Sequence, residues 1–141
     1  MADKTVAAGK IPPQNIDAEM SLLGAVLIDE ETLADITEHV KPKDFYDKRH
    51  AIIFDAMMRL YEKNKPVDLL TLTDELKRKK ELEEVGGSAY LTELTNYVPT
   101  AAHAESYAEI VAQKAVRRRL IKASGDISEL GYDEATSTQE L

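Results

Sequence analysis

The sequence predicts an all-α protein: a small helical bundle, the head, followed by a long helix that is the first arm of a helical hairpin. Three observations carry this. Apolar residues recur at every third or fourth position in six segments, the spacing that gathers them on one face of a helix. Asn or Asp stands where most of these segments begin, and proline or glycine where they end. Finally, no proline occurs from Ala102 to Leu130. At about 1.5 Å per residue that run makes a rod of roughly 40 Å, longer than a head of five short helices needs.

The elements follow in order. Residues 1–10 are small and polar and read as a disordered tail. The head, residues 11–100, begins with Ile11-Pro12-Pro13, extended because proline restricts the residue before it. Asn15 caps a first helix with Ile16, Met20, Leu23 and Leu27 on one face. Asp29 caps a second, with Leu33, Ile36 and Val40, stopped at Lys41-Pro42. Phe45 and Tyr46 form a turn folded onto the core. Asp47 caps a third helix reaching Tyr61, with Phe54, Met57 and Tyr61 in register, and Asn64-Lys65-Pro66 ends it. Asp68 caps a fourth, with Leu69, Leu72 and Leu76 inward. Its Lys77–Lys80 run suits the negative end of the helix dipole. Gly86-Gly87 makes a sharp turn into a fifth helix carrying Leu91, Leu94 and Val98, closed by Pro99.

The arm, residues 101–141, has two stripes. Ala104, Tyr107, Val111 and Ala115 form the first; Val116, Leu120, Ala123, Ile127 and Leu130 form the second, at spacings of 4, 3, 4 and 3. The stripe shifts by one position near the middle, so the two halves are expected to pack against different things. The second is expected to be an interface. Gly131 is expected to end the helix, and Ser137 with Glu140 reads as the capping box of a new helix, cut before it develops.

Composition narrows the function. Apolar residues make up 43% and charged residues 31%, a globular balance, with a formal net charge of −8. A uniform DNA-binding surface is disfavoured, because phosphate binding needs clustered Lys and Arg. No apolar run reaches the roughly 18 residues needed to span a bilayer. The absence of cysteine and of a hydrophobic leader core fits a cytoplasmic setting.

The chemistry of an enzyme is not visible. Gly9-Lys10-Ile11 lacks the glycine-rich loop and hydroxyl of a phosphate-binding loop. His39, His50 and His103 show no metal-ligand spacing and read as solvent-facing or capping. Glu30-Glu31 and Glu83-Glu84 read as solvated helix ends, and so does Lys77–Lys80. The cluster Arg117-Arg118-Arg119 with Lys122 has two readings: a solvated face, or a set of partners for acids on a neighbouring subunit. An alternative function uses the same Arg117–Arg119 patch in a stand-alone nucleic-acid-binding module.

One stretch, Ile11-Pro12-Pro13-Gln14-Asn15-Ile16-Asp17-Ala18-Glu19, resembles the N-terminal domain of the bacterial replicative DNA helicase, the DnaB family. Further segments agree in order and spacing: Leu23-Gly24, Asp44-Phe45-Tyr46, His50 with Ile53-Phe54, Pro66-Val67-Asp68-Leu69, Val85-Gly86-Gly87 with Tyr90-Leu91, and Pro99-Thr100-Ala101-Ala102. The resemblance covers about residues 11–132. It implies a non-catalytic domain whose hairpins pair between subunits, three such pairs building the collar of a hexameric ring. It also implies docking of the primase C-terminal domain, with contacts at Asp17 and Tyr90 on the head and Ile121 and Ile127 on the arm. The family often has Glu at the position of Asp17. ATP and Mg would belong to a motor domain outside this sequence, leaving no cofactor or metal here, and DNA would be met only through the full ring. Tyr90 reads either as a surface anchor or as closing the core. Ile127, on the second stripe, reads either as a primase contact or as hairpin packing.

Overall fold

The structure, a computed structural model, describes residues 10–141; the tail read for residues 1–10 lies, but for Lys10, outside them. Among the described residues the helices are α1 (Ile16–Ile28), α2 (Thr32–Ile36), α3 (Lys48–Glu62), α4 (Leu69–Arg78), α5 (Gly87–Thr95) and α6 (Ala104–Tyr132), with a 3-10 turn at Pro42–Asp44. No strand interrupts them. This is the all-α architecture that the spacing predicts.

The centre of the head is α1, which packs against α6, α5 and α3. Asn15 starts it as expected, its side chain accepting from the Ala18 N–H at 2.9 Å. Because neighbours surround α1, burial is not confined to one stripe. Leu22 and Val26 are fully buried alongside Leu23, whereas Ile16 and Met20 are only half-buried. A Cβ at Gly24 would overlap the Leu94 carbonyl oxygen, so glycine there lets α1 and α5 approach closely.

Two expectations for the next segment are corrected. The second helix is a single turn, and Asp29 does not cap it. The Asp29 carboxylate accepts from the Glu31 N–H at 3.1 Å, closing an Asx turn just before the helix, and the residue at the cap is Glu31. Leu33 and Ile36 are buried as expected, and Val40 is buried from the turn beyond. Of the two aromatics that follow, only Phe45 enters the core, its ring 5.1 Å from that of Phe54; Tyr46 is exposed.

Asp47 caps α3, accepting from the Arg49 N–H at 2.9 Å. Ile53, Phe54, Met57 and Leu60 face inward, while Tyr61 is exposed, contrary to its apparent register. It sits in the last turn, at the rim of a surface groove that it lines with Ala34, Asp35 and Pro66. Asn64 then takes a left-handed conformation, φ 56°, to leave the helix. On α4, Asp68 and Thr71 form a reciprocal capping box, and Leu72 and Leu76 are buried.

Between α3 and α4 lies a buried ion network. Glu75, almost without exposure, accepts from Arg59 at 2.8 Å and Arg78 at 2.8 Å. Arg59 also reaches Asp55 and Glu81. Burial pushes the Glu75 carboxyl up, but the hydrogen bonds from Arg59 and Arg78 outweigh it and lower its pKa from 4.5 to about 2. The folded value lies below the unfolded one. The stabilisation is therefore complete above the unfolded value and is lost as pH falls towards the folded one. Urea titrations at a series of acid pH values should show stability falling through this window. In Glu75→Gln that part of the pH dependence should vanish; an unchanged pH profile would refute the assignment.

At the α4–α5 turn, Gly86 and Gly87 have φ of 106° and 72°, conformations that side chains resist. Leu91 and Leu94 of α5 are buried. Helix α6 has 29 residues and runs through Gly131 rather than ending there. Its end is closed by the Asp133 N–H, which donates to the carbonyls of Glu129 and Leu130 at 3.0 and 3.3 Å, so no left-handed glycine is required. Ser137–Glu140 forms one turn, closed by a bond from the Glu140 N–H to the Ser137 carbonyl at 3.0 Å.

Candidate protein-interaction surface

The two halves of α6 differ as the stripe shift predicts. Ala104, Ala108, Val111 and Ala115 are buried in the head, with Tyr107 half-buried. Beyond them the second stripe is uncovered. Val116 is 55% exposed, Leu120 69%, Ile127 69% and Leu130 46%, and Ala123 is exposed between them. Residues at these spacings share one face of a helix.

Ile121 and Ile127 do not share a face. Six residues apart, they point about 120° from one another at 3.6 residues per turn. Ile121 is half-buried and lies three positions after Arg118, on the side that looks back to the head.

The basic cluster is used inward. Arg118 donates to the Pro13 carbonyl at 2.8 Å and to the Asp44 carbonyl at 2.6 Å, and its guanidinium sits 5.5 Å from the centre of the Tyr46 ring. Arg119 pairs with the Asp44 carboxylate at 3.0 Å. Burial lowers the Arg118 pKa below its usual value. These two arginines fasten the arm to the head, Arg118 half-buried rather than on a solvated face and Arg119 still exposed around its pair with Asp44. Arg117 remains exposed. A stand-alone nucleic-acid patch loses the Arg118 guanidinium to this clasp.

The head surface carries the other predicted contacts. Asp17 is exposed and accepts from the Tyr97 hydroxyl at 2.7 Å, about two helical turns beyond Tyr90. Tyr90 is half-buried: its ring packs on the core while part of it faces solvent. Burial raises the Tyr90 phenol above its usual range, although Arg49 opposes this.

Behind Tyr90 lies a polar network that the sequence did not announce. His50 is fully buried, against the expectation of a solvent-facing or capping histidine. Its Nδ1 lies 2.8 Å from Glu19 Oε1 and its Nε2 2.6 Å from the Tyr90 hydroxyl. Glu19, itself buried, also accepts the backbone N–H groups of Tyr46 and Asp47 at 2.7 and 3.3 Å. Arg49 covers the Tyr90 ring, 4.3 Å from its centre, and is held by Asp47. A usable signal was present. Glu19 stands three residues after Ile16 and His50 four before Phe54, so each polar residue sits in register with an apolar face.

Comparisons with known proteins agree with this layout. Residues 11–113 match the family described as the DnaB-like helicase N terminal domain. The chain is 49% identical over 123 residues to the Replicative DNA helicase DnaB of Geobacillus stearothermophilus, covering 87% of this chain and 27% of that relative. It is 44% identical over 132 residues to the Replicative DNA helicase DnaC of Bacillus subtilis (strain 168), covering 94% of this chain and 29% of that relative. The chain thus spans somewhat over a quarter of the length of these relatives. The crystal structure of the N-terminal domain of DnaB helicase from Mycobacterium tuberculosis matches with a TM-score of 0.89 and 41% identity, covering 92% of both chains.

Proposed function

This chain belongs to the DnaB-like helicase N-terminal domain family, and from that premise we propose that it is the non-catalytic assembly and primase-docking domain of a replicative, ATP-dependent DNA helicase. The observation that carries the assembly role is the uncovered stripe Val116, Leu120, Ile127 and Leu130. A contiguous apolar face held away from the head is the mark of a surface that another helix covers. Pairing of hairpins between subunits, three pairs to a hexameric ring, supplies such a helix. The primase C-terminal domain meets Asp17 and Tyr90 on the head and Ile121 on the arm. Ile127 lies on the apolar stripe and is assigned to hairpin packing. ATP and Mg act in a motor domain of the longer protein, and DNA is met only through the assembled ring.

Sedimentation of this chain beside one lengthened by about one helix of typical length tests the assembly role. The longer chain should associate more strongly, and Leu120→Glu should abolish the gain. Strictly monomeric behaviour in both would sink it. For docking, Tyr90→Ala should weaken binding of the primase C-terminal domain by about 1–3 kcal/mol; unchanged affinity would remove Tyr90 from the site.

A further inference from the structure

We infer that His50 is a positioning residue for the docking face: from inside the head it holds the Tyr90 phenol, so that the ring meets its partner already in place. The inference rests on the docking reading above.

Three grips act on Tyr90. His50 takes its hydroxyl at 2.6 Å, with the two rings nearly parallel at 8° and their centres 5.9 Å apart. Arg49 lies across one face of the ring. Gly86 clears the space beside the Tyr90 Cβ, which a side chain there would approach to 2.8 Å. His50 in turn has no freedom. Its other nitrogen is bound to Glu19, and that carboxylate is tied to two backbone N–H groups.

Stability alone does not account for this arrangement. A buried carboxylate–imidazole pair adds little over apolar side chains of the same volume, whereas a fully satisfied polar network does enforce one geometry. The ring that this geometry fixes is the half-exposed one. A tyrosine immobilised before binding loses no rotamer freedom on binding, a difference of about two- to tenfold in affinity.

The test uses His50→Gln and Tyr90→Phe, singly and together, titrated with the primase C-terminal domain. Fluorine NMR of the chain labelled with meta-fluorotyrosine runs in parallel, the Tyr90 line being identified by its loss in Tyr90→Phe. Each single variant should weaken binding by about two- to tenfold, and the pair should be no weaker than the weaker single. In His50→Gln the Tyr90 fluorine line should move towards those of exposed tyrosines. Multiplying effects in the double variant, an unmoved Tyr90 line, or a lowered melting temperature with unchanged affinity would each overturn the inference. Should His50→Gln fail to fold, Tyr90→Phe breaks the same bond from the exposed side, and full affinity in that variant is equally fatal. Unchanged affinity in Tyr90→Ala would take Tyr90 out of the site and the inference with it, whereas failure of the unaltered chain to bind the primase C-terminal domain would remove the docking reading itself, which separates the two failures.

Discussion

Glu19→Ala is expected to destabilise the chain by about 3 kcal/mol or more, because several buried hydrogen-bond donors each lose their acceptor at a cost of about 1–3 kcal/mol. The carboxylate is buried and serves His50 and the N–H groups of Tyr46 and Asp47. Its loss leaves these donors without an acceptor. Glu19→Gln keeps the volume and one acceptor oxygen, and should cost less than half as much. Urea unfolding reads both, through a lowered midpoint at constant slope. A loss below about 1 kcal/mol in Glu19→Ala, the net worth of one ordinary hydrogen bond, would mean that the network is not what holds this corner together.

Gly24→Val is expected to cost about 3 kcal/mol, the upper end of ordinary overpacking. The new Cβ overlaps the Leu94 carbonyl oxygen, which belongs to the α5 backbone and cannot rotate aside as a side chain would. Helices α1 and α5 must separate, loosening Leu22, Leu91 and Leu94 together. Gly131→Ala supplies the contrast. That glycine lies within exposed helix and its Cβ would meet nothing, so alanine should stabilise by about 0.5–1 kcal/mol. Thermal melts of the two variants should shift in opposite directions. The same sign in both would contradict the placement of one of them.

The contrast between those glycines also measures what the sequence makes legible. Asn15, Asp47, Asp68 and Gly86-Gly87 were readable because each acts on backbone groups within three residues of itself. Gly131 misled because a glycine near a helix end looks alike whether it ends the helix or lies within it. The second helix was overextended because Val40 keeps the spacing of a stripe while lying in a turn. The polar network and the arginine clasp join residues far apart in the chain: Glu19 with His50 and Tyr90, and Arg118 with Pro13 and Asp44. Local spacing places Glu19 and His50 in register with apolar faces, but it does not say which distant partner each one meets. The run Arg117–Arg119 resembles a solvated face for the same reason.

Where the clasp stands along α6 has a consequence for the amide hydrogens of that helix. Arg119, bound to Asp44, fastens the arm to the head by a charged pair; the helix then continues to Tyr132, a reach of about 20 Å. A free peptide of that length would be marginally helical, because nucleating its first turn is costly. Here the nucleus is already formed, so the outer segment needs only to propagate, and it melts from its tip inward. Amides from Ala108 to Ala115 should exchange with solvent only when the whole head unfolds. Those beyond Leu120 should exchange progressively faster towards Tyr132. A helix laid along Leu120 and Ile127 would flatten that gradient. The rate at the tip thus reports whether the arm is paired.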